Sequence, residues 1–346
     1  MIVLLVLFFI LILLSSKMTK DNCALALSKD QTQTIKGMFV VTIFFSHFCS
    51  YVILDKWFDV PTREYCRWLG QLMVVPFLFY SGYGIFESVK KKGESYIKSF
   101  PQKRILKTLI HFDLAVLLFI IYDFFFVPEN LAVLKVLTSF VAWNSVGNSN
   151  WFIFAILCAY VFSFIAFVLS KGHLIRSLII ITVLCFMYIV VVSRFKEGYW
   201  FDTILAFPLG GFFSTHKEKF MILGRRWILW EALCIICLMV LLVAKNGYIP
   251  SSFINAQFAM VGFMLLIVFL SMKMKFKGKI LSWLGEQVFG VYMLQRLPMN
   301  FGQYMHWNEK NIYLYFIFCF VVTLVLATLF HKATERIDSK IFKGPQ

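Results

Sequence analysis

Long apolar runs alternate along the whole chain with short clusters of lysine, arginine and polar residues. A bilayer core of about 30 Å is crossed by about 20 apolar helical residues. Runs of that kind fall at 1–16, 34–54, 67–86, 105–127, 151–170, 174–193, 199–213, 226–245, 252–272, 280–300 and 312–330. The pattern predicts an all-α, polytopic transmembrane helix bundle of about ten core helices plus one extra N-terminal helix. The run at 199–213 is short and reads as tilted or broken. The first run has neither a positive n-region nor an A-x-A-like cleavage site, so it reads as a retained anchor. The expected division is an N-terminal anchor helix with a cytoplasmic linker over 1–33, a transmembrane domain over 34–331 and a cytoplasmic tail over 332–346.

Composition agrees with a membrane protein. Of the 346 residues, 60% are apolar and only 15% charged, against about 25% charged in soluble domains. With the N-terminus outside, the segments 17–36, 87–107, 171–176, 216–226, 273–279 and 331–346 become cytoplasmic and hold 25 of the 34 lysines and arginines. The positive-inside rule therefore selects N-out and C-in. The net charge of +16 is spread over these short loops, which suits membrane lipid headgroups and excludes a nucleic-acid reader. Six of the eight cysteines fall within apolar spans, including Cys234 and Cys237 with their C-x-x-C spacing, so neither a disulfide framework nor a metal site is expected.

The polar interruptions carry the candidate chemistry. Thr34 to Tyr51 reads TIKGMFVVTIFFSHFCSY, with Lys36 at its start and His47 near its middle. Eleven helical steps of 100° bring both side chains to one face, about 16 Å apart along the axis. Ionisable groups in hydrocarbon mark pathways or active centres, although a neutral histidine bonded to a neighbouring helix would satisfy the same pattern. His111, Asp113 and Asp123 share a later span, and either Asp113 or Asp123 could orient His47 by accepting its ring N–H. The loop 87–107 is the most basic, and its Arg104 and Lys107 have the charge to hold phosphates.

The spacing of Lys36 and His47, a basic residue followed by ten others and then a histidine, resembles the signature of the acyltransferase-3 family of integral-membrane acyltransferases. Further segments resemble its pattern in the same order: VPFLFYSGYGIF (Val75 to Phe86), QKRILK (Gln102 to Lys107), NWFIFAILCAY (Asn150 to Tyr160), FPLGGFF (Phe207 to Phe213) and WLGEQVFGVYMLQRLP (Trp283 to Pro298). The resemblance implies a glycan O-acetyltransferase of the plasma (inner) membrane. It would move an acetyl group from cytoplasmic acetyl-CoA to a hydroxyl of a surface or envelope polysaccharide or lipid-linked saccharide. His47 would be the general base, Lys36, Arg104 and Lys107 would bind the acyl-CoA donor, and Ser81, Tyr83, Trp151 and Tyr292 would line the chamber. The chain departs from the family at Gln295, where a histidine is common, and at Lys107, where a second arginine is usual. The rival classes are a multispan transporter or flippase of a lipid-linked saccharide and a glycan polymerase. The first should show an internal repeat and the second a large outer loop, and the sequence has neither.

Overall fold

A computed structural model of the chain describes residues 1–247 and 251–342. The final four residues of the expected tail lie outside the described residues. The first helices are α1 (Ile2–Leu14), α2 (Lys29–Cys49), α3 (Val60–Leu69), α4 (Val75–Lys92), α5 (Glu94–Phe100), α6 (Lys107–Phe126), α7 (Val133–Ser139), α8 (Trp151–Leu169) and α9 (Leu174–Val192). They are followed by α10 (Ala206–Thr215), α11 (Lys217–Arg225), α12 (Trp227–Lys245), α13 (Ser252–Lys273), α14 (Lys279–Glu286), α15 (Val288–Leu294), α16 (Arg296–Tyr304) and α17 (Ile312–Ile341). Two three-residue strands, β1 (Ser16–Met18) and β2 (Met274–Phe276), pair antiparallel. The molecule is an all-α bundle.

Among the described residues, seven helices or joined helices are long and apolar enough to cross a membrane: 60–92, 94–126, 151–169, 174–192, 227–245, 252–273 and 312–341. The sequence pattern predicts four more. The run 1–16 forms only the 13-residue α1, and the run 34–54 falls in α2, which is unbroken but interrupted by Lys36, His47 and hydroxyl residues and is not among the seven. The other two differ because hydropathy does not see breaks. The run 280–300 divides into α14, α15 and α16. Pro298 cannot donate to the ladder at the last of these junctions. The run 199–213 reduces to α10 behind a series of turns. The predicted span at 105–127 instead begins at Glu94 and passes through a π-helical stretch, Pro101–Leu106. Pro101 again removes a backbone donor, and the widened turn carries Arg104. At the C-terminal end, α17 runs on through most of the expected tail.

α9 shows how sequence selects the lipid face. Ser177, Ile181, Cys185, Tyr188 and Val192, spaced three or four apart, are buried, whereas Ile175, Ile179, Val183, Phe186 and Val190 are half or more exposed. With hydrocarbon as solvent, the outward stripe stays apolar and close packing does the holding. Glycines supply that packing in two reciprocal pairs. A Cβ on Gly37 of α2 would run into the Leu281 carbonyl, and one on Gly285 into the Gln33 carbonyl. Likewise Gly82 faces the Phe207 carbonyl and Gly210 the Phe79 carbonyl. The glycines of the SGYG, LGGF and WLGE motifs are thus the seams joining α4 to α10 and α2 to α14.

The basic loops gather at one end. β1 pairs with β2 there, Arg225 meets Asp21, Lys217 meets Glu87, and Lys107 meets Asp338. Lys273, 1% exposed, donates to the Lys20 and Arg225 carbonyls and lies 4.8 Å from the Trp227 ring centroid. Asp21 accepts from the Cys23 N–H at 2.8 Å, and that bond, with Lys273 and Arg225 nearby, holds its carboxyl below the usual value. At the opposite end, Lys196 is held between Trp143 and Trp200, 4.3 and 4.5 Å from their rings, and burial lowers the pKa of its ammonium.

Candidate active site

α2 is the axis of the site. Ser28 caps its start by accepting from the Gln31 N–H, and the helix then runs unbroken to Cys49. Lys36 and His47 therefore sit on one rigid element, and each opens into a different cavity.

The inner cavity, about 680 Å³, is lined by Lys29, Lys36, Arg104, Tyr80, Ser81, Tyr83, Phe77, Phe152, Tyr160 and Glu286, among others. Arg104 donates through Nε to the Tyr96 hydroxyl at 3.2 Å, and the Ser81 and Tyr160 hydroxyls share a hydrogen bond of 3.0 Å. The Lys36 ammonium lies 5.9 Å from the Tyr80 ring centroid. Three cations against the single exposed carboxylate of Glu286 leave a positive chamber.

The outer cavity, about 420 Å³, is lined by Ser46, His47, Gln71, Ser145, Asn148, Ser149, Asn150, Trp151, Tyr199, Tyr292 and Arg296, with a few apolar side chains and Gly70. The loop 145–150 is polar yet mostly buried, and local hydrogen bonds satisfy part of it. Asn148 accepts from the Val146 N–H and the Ser145 hydroxyl, and Asn150 donates to the Ala142 carbonyl. Four buried polar atoms on the residues lining this cavity, His47 Nδ1, Gln71 Oε1, Asn148 Nδ2 and the Tyr292 hydroxyl, have no hydrogen-bond partner among the described residues. Leaving such atoms unpaired costs about 1–3 kcal/mol each, and the amides, hydroxyls, imidazole and guanidinium of the lining suit a polar occupant.

An aromatic wall divides the two spaces. Phe152 lines the inner cavity while its neighbours Trp151 and Tyr292 line the outer one. Phe152 packs edge-on against Tyr292 at 5.5 Å and against Phe77 at 6.3 Å, and Tyr292 lies 6.2 Å from the His47 ring.

The sequence candidates divide accordingly. Lys36, Arg104, Ser81 and Tyr83 come together at the inner cavity, and His47, Trp151 and Tyr292 at the outer one. Lys107 joins neither, because its ammonium is bound 2.6 Å from Asp338, which also takes His111 at 2.9 Å. Neither Asp113 nor Asp123 bonds the His47 Nδ1, which has no partner. Asp123 sits instead beside Asn130 and Lys135. Arg296 is the wall residue that sequence reasoning left without a role. An arginine inside an apolar run was its signal; the neighbouring Gln295 is fully buried and donates to the Tyr292 carbonyl.

A family model described as an acyltransferase domain matches residues 31–332. The chain belongs to the acyltransferase-3 family. No curated protein and no solved structure matches it. Membership makes acyl transfer the chemistry of this membrane protein, and the acyltransferase-3 match takes in the whole outer cavity, the inner one except Leu27 and Lys29, and α2 beyond its first turn.

Proposed function

We propose that this protein transfers an acetyl group from acetyl-CoA to a hydroxyl of a cell-surface or envelope polysaccharide across the plasma membrane. The observation that carries the reading is the pair of cavities on one helix, a basic one at Lys36 and a polar one at His47, about 16 Å apart and divided by an aromatic wall. The basic end is read as cytoplasmic, where the donor is made. Lys29, Lys36 and Arg104 supply charge-assisted donors for coenzyme A phosphates, and the tyrosine-lined chamber suits the thioester arm.

The donor's arm has to pass the Phe152–Tyr292 wall to bring the thioester to His47. There a sugar hydroxyl, whose pKa is far above 7, must lose its proton as it attacks the thioester carbonyl. Imidazole, with an ordinary pKa near 6.5, can accept that proton at neutral pH. The new C–O ester bond forms as the C–S bond breaks, and the departing thiolate takes up the proton from His47 to leave as coenzyme A. The unpaired atoms of Gln71 and Asn148 are an acceptor and a donor suited to neighbouring hydroxyls.

The test follows label from radioactive acetyl-CoA into envelope polysaccharide in membranes holding the intact protein, His47→Ala at equal abundance, or neither. Labelling by the intact protein alone is expected. Normal labelling by His47→Ala would remove the base assignment, and no labelling with any acceptor would return the saccharide transporter to first place.

A further inference from the structure

Arg296 is the charged member of the outer cavity's wall, and no aspartate or glutamate lines that cavity. Its Nε donates to the Ser149 hydroxyl at 3.1 Å, and its guanidinium also lies beside the Tyr51 hydroxyl, which donates in turn to Asn300 at 2.6 Å. Among the described residues no carboxylate forms a salt bridge with it. Arg296 is partly buried, and charges inside membrane proteins are usually paired. The neighbours here are neutral oxygens that fix the guanidinium's orientation and leave its charge unanswered. Arg296 follows Tyr292 by four residues across the Gln295 junction, so the two stand on one side of the broken segment, and Tyr292 faces the His47 ring.

We propose that the acceptor is an anionic saccharide, whose carboxylate or phosphodiester docks on Arg296 while a hydroxyl of the same or the adjoining sugar meets His47. The planar guanidinium fork matches either anion in a bidentate geometry that a lysine would not reproduce. Gln71 and Asn148 stand on the same cavity wall, where amide side chains suit the remaining hydroxyls. The assignment rests on the acyl-transfer reading for what happens at His47, but not for the docking of the anion.

The experiment uses the purified full chain in detergent and reads ligand-dependent thermal shifts. The probes are tetragalacturonate, its fully methyl-esterified form and a tetramer of glycerol phosphate. The expected result is that at least one of the two anions raises the unfolding midpoint of the intact protein and the neutral ester does not; which anion acts tells carboxylate from phosphodiester. Arg296→Gln should raise the apparent Kd of that anion by about tenfold or more, the size of one charge-assisted hydrogen bond. Arg296→Lys should retain part of the response, and the ligand-free midpoints show that both variants fold. The proposal is overturned if the ester shifts the intact protein as much as the acid does, if Arg296→Gln responds like the intact chain, or if neither anion produces a shift. Parallel labelling with radioactive acetyl-CoA separates the two readings. Arg296-dependent anion binding with no labelled acceptor would leave the docking standing and remove acyl transfer. Equal binding of acid and ester, with labelling lowered in Arg296→Gln, would reassign Arg296 to the oxyanion of the transition state and remove the docking.

Discussion

The two cavities share a helix and little else. The inner one is crowded with cations whose partners are tyrosine hydroxyls and rings, and the basic loops around it are stitched together by ion pairs. The outer one holds a single cation and an imidazole among amides and hydroxyls, several left without partners. The difference teaches that one end is shaped to attract a highly charged ligand from water, and the other to orient a hydroxylated one. Charge gathers a ligand from a distance, whereas directional hydrogen bonds choose among its atoms.

The strongest way to break this comparison is at His47. His47→Ala is expected to lower transfer by about 100-fold or more, the usual worth of a positioned base, while leaving acetyl-CoA binding unchanged by isothermal titration. The converse is Lys36→Ala with Arg104→Ala, which should raise the KM for acetyl-CoA by about tenfold and leave the KM for the acceptor alone. If both constants move together, the cavities are not separate stations. Phe152→Ala tests the wall between them, and a several-fold rise in acetyl-CoA hydrolysis without acceptor is its expected sign, read as free thiol released. Gly210→Leu tests the scaffold that both share. It should cost about 1–3 kcal/mol or more through overpacking against the Phe79 carbonyl, measured as a lower unfolding midpoint.

The smallest effect expected is electrostatic. The Asp21 carboxyl is held below its ordinary pKa chiefly by the Cys23 N–H. Its stabilising contribution is therefore present above the unfolded-state value of 3.8 and is lost as pH falls through the lower folded value. Asp21→Asn should lower the midpoint at pH 7 slightly and flatten its decline below pH 4, checked by thermal unfolding across that range.

Much of this was legible in the chain. The 3.6-residue period alone put Lys36 and His47 on one face of α2, because an uninterrupted helix fixes angle and rise whatever surrounds it. The bundle was legible for the same reason. The breaks at α14 to α16 were not, since hydropathy averages over Gln287, Gln295 and Pro298 without registering the ladder bonds lost there. Nor was the partner of each buried charge. Period placed Asp113, Asp123 and His111 in one span, but neighbouring helices decide which groups meet, and His111 and Lys107 met Asp338 from α17. Small residues such as the glycines of SGYG suit close helix packing, but only the facing carbonyls show which helices they join. Arg296 was visible as a charge in an apolar run, but the cavity it faces is made of five separate segments that no local pattern joins.

The wall of Phe77, Phe152 and Tyr292 has a consequence that concerns neither sugar nor thioester. A protein hollowed from both faces thins the membrane's insulation to a few aromatic rings at this point. Each unit charge slipping through a potential of 100 mV dissipates about 2.3 kcal/mol, and a thread of water linking the two hollows would conduct protons continuously. Packed rings offer no such thread. Proteoliposomes carrying this protein should therefore hold a proton gradient as long as empty ones, and an acetyl group would have to cross a barrier that stays electrically closed.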